Sequence, residues 1–139
     1  MSDLVRFSIS LEKALLEKLE RLVKASRYTN RSEFIRDLIR ERLVEQQWMD
    51  KRQEVVGTIT MVYDHHARQL ADKLVDIQHD HQQNVLATTH VHLSHDLCAE
   101  MIMARGSAPR IRQLADRLRQ QRGVLHTTLA MSSTGESLS

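Results

Sequence analysis

All eight histidines and the single cysteine of this 139-residue chain fall between His65 and His126, and three of them form the run His90-Val91-His92 followed by Cys98. In a β-strand the side-chain period of two puts His90 and His92 on one face, so two imidazoles and a nearby thiolate can converge on a single ion. Residues before His65 contain neither donor type. One half of the chain therefore carries soft-metal chemistry, and the other half has a different task. A lone cysteine makes no internal disulfide, and near histidines in a reducing compartment it reads as a ligand or a nucleophile.

The elements that must position these donors alternate in type. Val55 to Val62 is β-prone, Ala67 to Ile77 has helical spacing through Leu70, Leu74 and Ile77, and Val85 to Leu93 is β-prone again. Ala99 to Ala104 reads as a further strand. Ile111, Leu114, Ala115 and Leu118 mark a helix after Pro109, and Val124 to Met131 forms a last strand opened by Gly123. The order β-α-β-β-α-β predicts a ferredoxin-like sandwich over residues 51–139, with the polar residues 132–139 as a mobile tail.

Residues 1–50 read differently. Leu4 to Ser10 alternates, with Val5, Phe7 and Ile9 on one side and Arg6, Ser8 and Ser10 on the other. Leu15, Leu16, Leu19, Leu22 and Val23 then form a helical stripe, with Ser10 as the expected N-cap. The polar run Ser26 to Asn30 breaks it. Asn30 with Glu33 has capping-box spacing, and Phe34, Ile35, Leu38, Ile39 and Leu43 mark a second helix. One strand cannot pair alone and about 45 residues make a poor core, so this strand-helix-helix unit is expected to dimerise through its strand. Glu45 to Glu54 reads as a connector anchored by Trp48. The fold class is α+β, in two small domains.

Composition narrows the functions further. With 41% apolar and 27% charged residues and a formal net charge of +2, the chain lacks the broad basic excess of a protein that binds nucleic acid by charge alone. No apolar stretch approaches the roughly 20 residues that cross a bilayer, and no signal-peptide pattern opens the chain, so a cytoplasmic protein without membrane partners is expected.

Taken together, Val5-Arg6-Phe7-Ser8-Ile9-Ser10, Asn30-Arg31-Ser32-Glu33-Phe34-Ile35-Arg36-Asp37, Gln78-His79 and His90-Val91-His92 with Cys98 resemble the nickel-responsive regulators of the NikR family, from about residue 4 to residue 131. The first two motifs are shared by many ribbon-helix-helix repressors; the histidine and cysteine spacing is specific. The resemblance implies a homotetramer on double-stranded operator DNA, with two ribbon-helix-helix dimers flanking the metal-binding domains. It implies one nickel(II) per subunit, held by His90, His92 and Cys98 of one chain and His79 of a neighbour. Three imidazoles and a thiolate suit square-planar nickel, and the same set suits tetrahedral zinc or copper. Arg6, Ser8 and Ser10 would face base edges in the major groove, and Asn30, Arg31 and Ser32 at a helix start would hold a phosphate. Glu33 and Asp37 match a family position for a second, harder cation. The family often has glycine before the tyrosine of the inter-helix turn, where this chain has Arg27 before Tyr28. A basic family residue at the start of the third helix corresponds to Ala67, which leaves Arg68 as the non-specific DNA contact.

Plainer readings stand beside these. Arg6, Ser8 and Ser10 fit a solvated strand face, Glu33 fits a helix cap, and Asp37 fits a pair with Arg36 or Arg40. His65, His66, His81, His95 and His126 read as surface residues, with His65 and His81 as candidates for a weaker auxiliary site. A metal-storage or metallochaperone protein is the alternative function. Catalysis by Cys98 with a histidine base is disfavoured, because a metal site consumes the donors and no oxyanion-hole motif is readable.

Overall fold

The computed structural model describes residues 3–139. Along them run α1 (Lys13–Ala25), α2 (Arg31–Met49), β1 (Glu54–Asp64), α3 (Leu70–Asp80), β2 (Val85–His92), β3 (Leu97–Ser107), α4 (Ala108–Arg119) and β4 (Val124–Ser132). The chain divides into two units, residues up to Leu43 with Ser137–Ser139, and Val44–Glu136.

Alternation decides the second unit. Val55, Ile59, Met61 and Tyr63 of β1 all point into the core while their neighbours are half-buried. β1 is a central strand, antiparallel to both β3 and β4, in a sheet of order β2-β3-β1-β4. This is the split β-α-β arrangement expected from the sequence. Pro109 sits in the first turn of α4, where its missing N–H costs no hydrogen bond, and α4 buries Ile111, Leu114 and Leu118 completely. Each such side chain contributes about 2 kcal/mol by leaving water. Gly57 is needed at the crowded middle of β1: a Cβ there would meet Leu129 and Trp48 at 3.0 Å and Ile111 at 3.1 Å.

Three local expectations change. The polar residues from Glu45 do not break the helix, since α2 runs on to Met49, and good helix formers such as Glu and Gln carry it there. Trp48 is the expected anchor, 1% exposed, with Nε1 donating to the Ser132 carbonyl at 2.7 Å. Ser132 belongs to β4, and the carbonyls of Glu136 and Leu138 accept hydrogen bonds from Gln47 and Arg40, so the terminal residues are tethered through their backbone. Ser10 is not the N-cap of α1; Glu12 occupies that position, without a side-chain cap.

In the first unit, Arg27 answers the missing glycine by adopting the left-handed conformation itself, at φ 60°. Tyr28 N–H donates to the Val23 carbonyl and Arg27 N–H to that of Lys24, the paired bonds of a Schellman C-cap. Asn30 caps α2 by accepting from Glu33 N–H at 3.0 Å, whereas the Glu33 carboxylate pairs with Arg36. The apolar stripes are only partly covered. Val23 and Phe34 are buried, yet Leu15, Leu22, Leu38 and Ile39 are 45–55% exposed. Residues 4–10 form no ladder within the chain, and Val5, Phe7 and Ile9 are 65–83% exposed. The first unit thus leaves a contiguous set of apolar side chains uncovered within one chain.

Candidate metal centre

The sheet register builds the centre. His92 faces Cys98 across β2 and β3, and Tyr63 faces Cys98 from β1, so the cysteine lies at the middle of three strands. Its side chain is fully buried, and its Sγ lies 3.3 Å from Nδ1 of His92 and 3.4 Å from Nδ1 of His65. The three donor atoms lie within 4.8 Å of one another. Bonds of about 2.0–2.3 Å from imidazole nitrogen and thiolate sulfur to one ion give donor separations of this size, so the residues fit a soft metal.

His90 lies beside this group, its ring 5.0 Å from that of His92 and its Nδ1 3.3 Å from the Tyr63 hydroxyl. Burial pushes the Tyr63 phenol up to about 12, helped by the negative charge of Glu100 and Cys98, so near neutral pH it is a hydroxyl that can fix the His90 ring. Of the expected donors, the chain thus brings His92 and Cys98 together, with His90 adjacent. His79 is exposed in the last turn of α3 and outside the cluster. Its neighbour Gln78 is fixed: Nε2 donates to the buried Glu100 carboxylate and Oε1 accepts from Thr88, tying the end of α3 to β2 and β3.

His65, expected only as a candidate for an auxiliary site, lies instead beside Cys98 and His92. It follows the end of β1, where its N–H donates to the Asp96 carbonyl at 2.7 Å and holds it against Cys98. His81 is separate from it, buried, with Nδ1 3.0 Å from the Ile77 carbonyl. His66 and His95 flank Asp96 at the surface, and hydrogen bonds from His95 and then His66 hold that carboxyl below its ordinary range.

The residues expected at DNA are exposed. Arg6, Ser8 and Ser10 lie on the extended N-terminal segment, while Asn30, Arg31 and Ser32 open α2. Asn30 already accepts from Glu33 N–H, and Arg31 pairs with Glu20 at 3.1 Å. Glu33 pairs with Arg36, and Asp37 accepts from Tyr28 and Arg40. The Tyr28 hydrogen bond, followed by Arg40, holds the Asp37 carboxyl below the usual range against the opposing effect of desolvation.

Among the described residues no helix is long and apolar enough to cross a membrane. The profile described as NikR C terminal nickel binding domain matches residues 56–132, and that of the ribbon-helix-helix protein, copG family, matches residues 5–46. A relative from Syntrophus aciditrophicus is 46% identical over 98% of both chains, and one from Chlorobium limicola is 48% identical over 97% of this chain and all of its own; both bear the name nickel-responsive regulator. A solved, uncharacterised protein of Thermotoga maritima shares the fold of the sheet domain, with a TM-score of 0.52 at 12% identity, over 57% of this chain and 98% of its own. The chain belongs to the NikR family, whose members join a ribbon-helix-helix domain to a nickel-binding domain and are transcriptional regulators rather than enzymes.

Proposed function

We propose that this protein is a nickel-responsive repressor whose affinity for operator DNA rises when the ion is bound. The observation that carries this reading is the buried Cys98 sulfur 3.3 Å from Nδ1 of His92, with the His90 ring beside that of His92, in a chain whose other domain is a ribbon-helix-helix unit. His90, His92 and Cys98 hold one nickel per subunit, and His79 completes the set of a neighbouring chain. Cys98 must act as thiolate, so affinity falls as pH drops. When bound, the ion supplies a link between the strands of one subunit and α3 of another.

The assembly is a homotetramer, a dimer of ribbon dimers around the sheet domains, working in the cytoplasm without a membrane partner. The exposed Val5, Phe7 and Ile9 would be covered by pairing with a twin strand, which turns Arg6, Ser8 and Ser10 outward to the base edges. Asn30, Arg31 and Ser32 would hold the flanking phosphate, for which Arg31 must exchange Glu20 for the backbone oxygen. A hard cation at Glu33 and Asp37 would likewise have to displace Arg36 and Arg40.

A gel-shift titration on palindromic operator DNA, with and without stoichiometric nickel, tests the reading. Tighter binding with nickel is expected, and equal affinity in both arms would overturn it.

A further inference from the structure

Away from the metal centre, a groove of about 420 Å³ runs between α4 and the edge strand β4, lined by Arg112, Ala115, Asp116, Arg119, Thr127 and Leu129 among others. Two of its groups stand without a polar partner among the described residues. The Thr127 side chain is 7% exposed, and its Oγ1 has no hydrogen-bond partner in the protein. Buried hydroxyls are nearly always satisfied, because desolvating one without a partner is costly. The second is Arg112: its guanidinium lies 5.5 Å from the centre of the Trp48 ring, and among the described residues no carboxylate pairs with it. The other two charges cancel, since Arg119 bonds Asp116 at 2.7 Å. One uncommitted cation remains in the groove.

We infer that the α4–β4 groove is a binding site for a small organic carboxylate, received by Arg112 with the Thr127 hydroxyl donating to the same anion. A guanidinium fork matches a carboxylate through two parallel hydrogen bonds, and its stacking on Trp48 holds the fork in place before the ligand arrives. A phosphate dianion asks for a second free cation, which the Asp116–Arg119 pair withholds. Ala115, Leu129 and Met131 supply an apolar wall, so the ligand carries a short aliphatic body behind its headgroup.

The test uses the full chain without metal, labelled at threonine and methionine methyl groups. Sodium pentanoate is titrated against 1-pentanol and inorganic phosphate at equal ionic strength. Saturable shifts of the Thr127 and Met131 methyls with pentanoate alone are expected. Arg112→Gln should lose them, and Thr127→Val should bind about tenfold more weakly while melting no lower than the parent, since valine removes an unsatisfied hydroxyl at equal volume. The inference is overturned if pentanol or phosphate reproduces the shifts, if pentanoate gives none, or if Arg112→Gln binds as well as the parent.

Discussion

The two ends of the functional chain are finished to different degrees by a single copy. Around the cysteine, one chain already gathers donors: Cys98 is fully buried, and backbone register alone brings His92 to its sulfur. The amino-terminal end is left uncovered, since Val5, Phe7 and Ile9 stand in water and most of the stripe on α1 has nothing to pack on. The difference separates two physical tasks. Gathering donor atoms needs rigid walls, which a four-stranded sheet with its own core supplies, whereas the proposed reading of a two-fold operator would need a surface made by two copies.

The most severe way to break the first side of this comparison is Cys98→Ser. Outer contacts to metal ligands typically matter by about 10- to 100-fold, so losing the thiolate itself should lower nickel affinity by more than about 100-fold, with secondary structure retained. Competition titration with a chelator reads the affinity, and a loss below about tenfold would remove Cys98 from the ligand set. On the other side, Phe7→Ser should weaken ribbon pairing by about 2 kcal/mol per chain and abolish operator binding, yet leave nickel affinity where it was. Sedimentation equilibrium and the chelator titration separate those outcomes.

A smaller effect sharpens the contrast without breaking it. Arg27→Gly relieves a left-handed residue at the Schellman cap and should stabilise the first unit to urea by up to about 1 kcal/mol, with no change in metal binding. Smallest is the effect of pH on Asp37. Its carboxyl is held below the usual range, so its contribution is complete above the unfolded value of about 3.9 and disappears as pH falls through the lowered folded value. Asp37→Asn should therefore flatten the acid limb of the stability curve; an unchanged limb would mean that Tyr28 and Arg40 do not stabilise the charged form.

Period made the sheet domain legible. The β-prone run from Val55 to Val62 and the spacing of Ile111, Leu114 and Leu118 each matched a buried face, so all four strands and both helices follow from pattern. The continuation of α2 to Met49 did not, because Glu45, Gln46 and Gln47 look like a polar connector although they are sound helix formers, and the burial of Trp48 is decided by tertiary packing. His92 and Cys98 were readable because their spacing spans the β2–β3 turn. His65 carried no such signal. Only the pairing of Tyr63 with Cys98 brings the residue beyond the end of β1 to the sulfur, and register between distant strands is absent from local periodicity.

Trp48 is the sole tryptophan of the chain, sealed in the sheet domain with a guanidinium over its face and its indole N–H bonded to Ser132. The protein thereby carries its own optical gauge. Emission should be blue-shifted in the native state and should move red when the sheet domain opens. A single fluorescence trace can therefore time the unfolding of the metal-binding half without a label, and any occupant of the α4–β4 groove that draws Arg112 off the ring will announce itself as a change in quenching.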